Sequence, residues 1–499
     1  MMRYQPVLPR FLHEGRALEH GDLGQTDALC ILVNRRADGP GCDFSGFPYA
    51  DTLADHWDRH SRDNRLETVL PNARGTRVLV LAIDGMQPRF ERHQAMRKGL
   101  GNWLSLSIAR LDIASVNSLA EPLLPDLLLI VHLQLSALPD FTSAGRKDNE
   151  PEKIRCFSVA IEPDIQRIQA ETVATGLARF LTALPPNHLD PSNYAELLRT
   201  LADEEGWSLE WYERKQLTAM GAGAFTAVAT GPSNRHAGIA HLRYAPEQPL
   251  AGPLALIGKG ITFDTGGHNL KTGGSMFGMH TDMGGSAAVL GALLAASRLK
   301  LPVVIDAWLA ISENTLSPRA YKPNDVITAL NGVTIEVVDT DAEGRMVLAD
   351  TLALAARSNP AWMIDFATLT GACVRALGTG MSGVFCNRTE ALGTFYDIGQ
   401  ACGERVWPLP LPLDYLDHLK SDIADTLQCA PSGSPDHIDA ALFLQRFVPP
   451  DCNWAHVDLS AARHKDGLGG VATEITGFGA RFGLQCIETL AGLNNTRGI

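Results

Sequence analysis

Residues Asp339-Thr340-Asp341-Ala342-Glu343-Gly344-Arg345-Met346-Val347-Leu348-Ala349-Asp350 constrain this chain more than any other stretch. They follow Val333-Thr334-Ile335-Glu336-Val337-Val338, a β-branched run that reads as a strand. A helical pattern comes next, with Val347, Leu348, Leu352 and Ala355 on one face. Acidic side chains are therefore crowded where a strand hands over to a helix, which in open α/β sheets is where ligands bind. Two carboxylates 4 Å apart repel by about 1 kcal/mol in water and about 4 kcal/mol at an effective dielectric of 20. A divalent cation relieves such crowding, because hard cations take oxygen ligands. Two other readings compete. Asp339, Asp341, Glu343, Gly344 and Asp350 fall at positions of an EF-hand calcium loop, but a strand rather than a helix enters it and position 9 is the apolar Val347. A solvated acidic turn without metal is the blander alternative.

At 499 residues the chain is long enough for two or three domains. The formal net charge of −13 argues against a general nucleic-acid surface. Nine cysteines, no two in a C-x-x-C pair, indicate neither a zinc ribbon nor a disulfide scaffold, and they fit a reducing, cytoplasmic compartment. The opening Met1-Met2-Arg3-Tyr4-Gln5-Pro6 lacks the apolar core of a signal peptide. Gly284 to Ser297 is uncharged but short of the ~20 residues that cross a bilayer, so it reads as a buried helix and no membrane partner is expected.

The expected fold class is α/β in two domains: a small N-terminal α/β domain over residues 1–165, and a larger C-terminal one over 166–499 with a mixed central sheet. In the first, Ala28–Val33, Arg77–Ala82 and Leu127–Val131 are near-continuous apolar runs and read as buried strands. Trp103–Leu111 reads as helix, Gly39-Pro40-Gly41 as a turn and Ser143–Pro151 as a surface loop. A helical pattern from Asp164 to Leu184 serves as linker, and Asp190-Pro191-Ser192 caps a further helix to Glu204. The Gly/Ala-rich tract within Tyr212–Gly231 suggests close backbone packing. Beyond it, Pro253–Ile257, Val303–Leu309, Trp362–Ala367 and Trp454–Leu459 are strand candidates with helical patterns between most of them.

Lys259, Asp264, Lys271, Asp282, Asp341, Glu343 and Arg345 all fall at expected strand ends or helix starts. If those strands are neighbours, the residues converge on one sheet edge. There they could neutralise one another as a buried ion network, or hold two metal ions. Gly258-Lys259 fails as a phosphate-binding loop, since Pro253 and Gly260 stand where Gly and Ser or Thr are needed. H-E-x-x-H and G-x-S-x-G are absent, which removes the common zincin and serine-hydrolase readings.

Lys259-Gly260-Ile261-Thr262-Phe263-Asp264-Thr265-Gly266-Gly267, the spacing to Lys271 and Asp282, Thr340–Arg345, and Ala367-Thr368-Leu369-Thr370-Gly371-Ala372 together resemble the leucyl aminopeptidase family of two-metal exopeptidases. Leu184–Asn187, Trp454–Asp458 and Thr476–Gly479 are weaker echoes, and residues 1–165 carry no matching motif. The resemblance implies release of N-terminal, leucine-like residues from peptides. It implies that Lys259, Asp264, Asp282 and Glu343 hold one divalent ion (Mn²⁺ or Zn²⁺) and Asp264, Asp341 and Glu343 a second. Lys271 would polarise the scissile carbonyl, and Arg345 would hold a bicarbonate ion as general base. Met279, Thr368, Leu369 and Gly371 would border the substrate, and the assembly would be a homo-hexamer. The sequence departs from the pattern at Asp339 (usually Asn), Met346 (often Leu), Ala222 (a Met) and across Leu427–Asp439. Asp339 is thereby a candidate fifth carboxylate in the cleft. His456 and Asp458, on an apolar strand, read as structural. A non-catalytic binding or regulatory protein on the same fold, using its N-terminal domain on nucleic acid, is the rival from another class.

Overall fold

A computed structural model describes the chain apart from residues 1–3, 7, 36–41, 106–107, 144–150, 233–235 and 494–499. The turn expected at Gly39-Pro40-Gly41 and most of the loop expected at 143–151 lie outside the described residues. Two compact units result. One is built from Gln5–Thr172 together with Asp466–Thr473, the other mainly from Val173–Lys465 and the segment that begins at Glu474. The division falls within the Ile165–Ala183 helix.

The smaller unit carries six strands: β1 (Arg10–Glu14), β2 (Ala28–Asn34), β3 (Arg65–Val69), β4 (Arg77–Ile83), β5 (Arg110–Ser115) and β6 (Lys153–Phe157). They form one sheet in the order β1-β6-β5-β2-β4-β3, parallel except for the β3–β4 pair. The apolar runs of β2 and β4 are buried nearly throughout, as two covered faces require. Two expectations fail here. Leu127–Val131 is not a strand but the middle of the Leu124–Leu135 helix, in which all five of those residues are buried. A wholly apolar run has no period to separate strand from buried helix, and Pro125 in the first turn was the available signal. Of the helix expected over Trp103–Leu111, the described residues show a 3₁₀ turn at Trp103–Ser105, and Arg110 and Leu111 already belong to β5. The excursion Asp466–Thr473 completes this unit. Arg97 donates to the carbonyls of Asp466 (2.7 Å) and Gly469 (2.8 Å), and Val471 joins the core of Leu127, Ile130 and Leu133.

The larger unit holds β7 (Ser208–Glu213), β8 (Gly238–Tyr244), β9 (Ala251–Asp264), β10 (Val303–Asn314), β11 (Val326–Thr328), β12 (Thr334–Glu336), β13 (Trp362–Ala367), β14 (Ser382–Cys386), β15 (Val406–Pro408), β16 (Thr426–Leu427) and β17 (Asn453–Asp458). Eight of them make a mixed sheet, β15-β14-β17-β13-β9-β10-β8-β7, whose centre β17-β13-β9-β10 is parallel. The strand expected at Val333–Val338 shrinks to β12, and it belongs to a separate sheet, β11-β12-β16. The acidic turn therefore comes off a small side sheet, not off the central one.

The central strands β9 and β10 run well past the ends read from sequence; in β9, Gly258 and Gly260 interrupt the apolar pattern. Those glycines are there for packing. A Cβ at Gly258 would lie 2.5 Å from Ser286 Cα, and one at Gly285 2.0 Å from the Phe366 carbonyl oxygen. The Gly284–Arg298 helix thus sits directly on β9 and β13, buried from Gly284 to Ala296. Asp350 settles the calcium-loop reading. It is fully buried inside the Glu343–Ala355 helix, where it accepts the amides of Phe225 (2.8 Å) and Leu330 (2.7 Å). Its carboxylate stitches elements together and takes no part in a metal loop.

Gly258→Ala is expected to lower unfolding stability by about 1–3 kcal/mol, because backbone rather than a movable side chain meets the new methyl. Thermal or urea denaturation reads the loss.

Candidate active site

The site begins with a register problem. Lys259 and Asp264 are five residues apart on β9, and strand alternation would put them on opposite faces. The pairing with β10 shifts between Ile261↔Ser312 and Asp264↔Asn314, so β9 carries one extra residue there. That bulge returns Asp264 to the face of Lys259. The chain then turns sharply through Gly266 (φ +85) and Gly267 (φ +65), a left-handed pair that glycine adopts without penalty. A side chain on either would come within 3.0 Å of Asp341 Oδ1 or 2.9 Å of Thr340 Oγ1. The turn delivers Lys271, the Gly284–Arg298 helix is preceded by Asp282, and Glu343 opens its own helix. Gly344 leaves a channel for the Lys259 stem, whose Cε would lie 2.6 Å from any Cβ there.

These side chains meet. Lys259 Nζ lies 2.8 Å from Asp282 Oδ2 and 3.0 Å from Glu343 Oε1, and donates to the Thr368 carbonyl at 3.0 Å. Lys271 Nζ lies 2.9 Å from Asp264 Oδ2 and 2.6 Å from Asp341 Oδ1. Asn314 Nδ2 donates to Asp264 Oδ1 (2.8 Å) and Glu343 Oε2 (3.3 Å). Burial pushes Glu343 well above the usual carboxylate range, with the Asp264 charge adding to it. Asp282 rises for the same two reasons, although Lys259 opposes it, and Asp341 is pushed up to about 6. Burial works against charge on both lysines. The surrounding carboxylates win and hold each pKa above its ordinary value.

Asp264, Asp341 and Glu343 each place one oxygen within 4.8 Å of the others, which makes them a candidate metal site. The donor set fits a divalent ion. It is hard oxygen, and four carboxylates outnumber two ammonium groups. Asp282 Oδ2 and Asp341 Oδ1 also lack any well-aligned hydrogen bond, despite the nearby lysines. A cavity of about 420 Å³ opens onto the cluster, and Met279, Thr368, Leu369, Gly371, Val374 and Arg463 also line it. Asp458 braces that wall, accepting the Leu369 and Thr370 amides and the Thr370 hydroxyl. His456 is tied to Asp365 at 2.5 Å, deep in the sheet.

Arg345 is the exception among the expected site residues. It is 2% exposed and does not line the cavity. Its Nη2 donates to Asp436 Oδ1 at 2.7 Å and its Nη1 to the Gln428 carbonyl at 3.2 Å. Nη1 and Nη2 are thereby engaged, while the buried Nε is left without a hydrogen bond among the described residues. Asp339 is not in the cluster either, since its Oδ1 accepts the Asp341 amide at 2.8 Å and shapes the turn. Asn314, Ser460 and Arg463 were missed. For Asn314 the signal existed: it ends β10 beside Asp264.

A buried carboxylate–lysine cluster against the parallel centre of a mixed sheet, opening into one cavity, defines an α/β protein with a candidate metal centre. The chain belongs to the cytosol aminopeptidase family, whose catalytic domain matches residues 176–483. A probable cytosol aminopeptidase of Syntrophotalea carbinolica is 46% identical over 315 residues, 62% of each chain. One from Synechococcus sp. (strain CC9902) is 43% identical, over 64% of this chain and 65% of that one. The match therefore spans a little under two thirds of these relatives' length. The bottromycin maturation enzyme BotP, solved in complex with Mn, superposes with a TM-score of 0.79 at 28% identity, covering 93% of this chain and 100% of that one.

Bicarbonate added to CO₂-depleted protein is expected to leave the thermal unfolding midpoint where it was, and to raise it once Asp436→Ala frees Arg345. A rise in the unaltered protein would show that Asp436 yields its place.

Proposed function

We propose that this protein is a metal-dependent aminopeptidase, releasing N-terminal residues, leucine-like ones included, from peptides in the cytoplasm. One observation carries the reading: four carboxylates and two lysines from separate elements converge on one cavity, with hard oxygen donors close enough to share ions. On this proposal Lys259, Asp264, Asp282 and Glu343 hold one divalent ion, and Asp264, Asp341 and Glu343 a second, with Mn²⁺ or Zn²⁺ as the candidates. When bound, such a pair supplies Lewis acidity and lowers the pKa of a shared water from 15.7 towards about 7.

The chain's own groups supply the rest. Asn314 fixes the Asp264 and Glu343 carboxylates in orientation. Lys259 can donate a lone pair only after giving up its proton, which a neighbouring cation favours. Lys271, protonated and beside the cavity, is placed to polarise the scissile carbonyl where negative charge develops. The acidic end attracts the free α-ammonium of a peptide, which restricts the reaction to chain ends. Met279, Thr368, Leu369 and Gly371 face the N-terminal side chain. No step is assigned to bicarbonate. Assembly as a homo-hexamer belongs to the same proposal, with a solution mass six times the 53.8 kDa of the chain. Among the described residues no helix is long and apolar enough to cross a membrane.

Aminoacyl anilides tested with Mn²⁺ or Zn²⁺ should be cleaved, and a chelator should stop it; no metal-dependent release would favour the binding-protein reading. Asp264→Asn should retain less metal after dialysis, by elemental analysis, because both proposed ions use that carboxylate. Lys271→Ala should keep its metal, since Asp264 and Asp341 lose their competing ammonium, while kcat falls roughly 10²- to 10³-fold. A variant with most of its kcat would remove Lys271 from the reaction.

A further inference from the structure

Arg463 stands out on the cavity wall. Besides Lys259 and Lys271 it is the one cation among the described residues that line this space. Its Nη2 donates to Glu474 Oε1 at 2.6 Å, but the two side chains are 39% and 52% exposed, and such a pair holds weakly. Nε and Nη1 have no partner among the described residues. The guanidinium lies against the stretch that carries Met279. There Gly278 (φ +92) leaves the room, since a Cβ would come 2.8 Å from Nη1. Ser275, Thr379 and Ser460 make the neighbouring lining polar. A cavity built for aliphatic side chains alone gains nothing from a half-free arginine, whereas a planar fork of donors matches a carboxylate.

We infer that Arg463 receives a carboxylate of the substrate, so that the site takes peptides with an acidic N-terminal residue or dipeptides with a free C-terminus. The inference rests on the aminopeptidase reading. Charge gives it a direction: the carboxylate cluster draws the α-ammonium and repels a substrate carboxylate, which the guanidinium lining the same cavity then accepts. Glu474 acts as a place-holder that a substrate carboxylate displaces.

The test compares kcat/KM for glutamyl, aspartyl and leucyl anilides, which have no terminal carboxylate, and for leucylglycine against leucylglycinamide, all with Mn²⁺. Arg463→Met should lower the glutamyl-to-leucyl ratio roughly tenfold or more, through KM, and Arg463→Lys should keep part of it. Glu474→Gln, at an exposed position, should raise the ratio by freeing the guanidinium. If the dipeptide terminus is the carboxylate in question, the same changes appear in the leucylglycine-to-leucylglycinamide ratio instead. Leucyl turnover with both ratios unmoved in all three variants would overturn the inference and leave the aminopeptidase reading standing. No turnover of any substrate would overturn both.

Discussion

Like charges held out of water are the condition on which this structure is built. Asp264, Asp282, Asp341 and Glu343 converge within one cluster, and Asp264, Asp282 and Glu343 are nearly closed to solvent. Unpaired, ionised carboxylates would not persist in such a place. Lys259 and Lys271 each bridge two of them, and Asn314 adds neutral donors. Neither lysine could be there without backbone concessions: the bulge in β9, the left-handed Gly266–Gly267 pair, and the bare Gly344 beside the Lys259 stem. The electrostatics and the glycines are one device seen from two sides. The same imbalance makes the cluster a candidate site for a divalent ion, because four carboxylates outnumber two ammonium groups.

Much of this could be read from the chain, and the reasons for the exceptions are physical. The residues of the cluster announce themselves, because acids and lysines at strand ends and helix starts have few other uses. Which strand supplied the edge was not readable. Val333–Val338 has the composition of a central strand, but only a short piece pairs, in a side sheet, and composition does not encode pairing partners. Gly258 and Gly260 hid the true length of β9, since a glycine that admits a helix looks the same in sequence as one that ends a strand. Leu127–Val131 misled for the opposite reason, being apolar without a period.

Arg345 and Arg463 teach a related lesson. The motif Thr340–Arg345 gives an arginine its address but not its partner. The partner, Asp436, lies in the Leu427–Asp439 stretch where the chain leaves the family pattern. The stretch that departs from the pattern thus supplies the carboxylate that the motif's arginine meets. Arg463 carried no motif and became visible only when the cavity wall was assembled, through contacts among residues far apart in sequence.

The excursion Asp466–Thr473 carries a consequence for how the molecule is made. The smaller unit draws its last piece from far along the chain, so its first 172 residues leave the ribosome about 300 residues before Asp466 does. At ordinary rates of synthesis that is a wait of roughly 15–60 s. Through that interval Arg97 has no carbonyls from Asp466 or Gly469 to meet, and the core around Ile130 and Leu133 lacks Val471. The smaller unit is thus begun early and completed late, and a nascent chain of this protein exposes an unfinished hydrophobic seam through that interval.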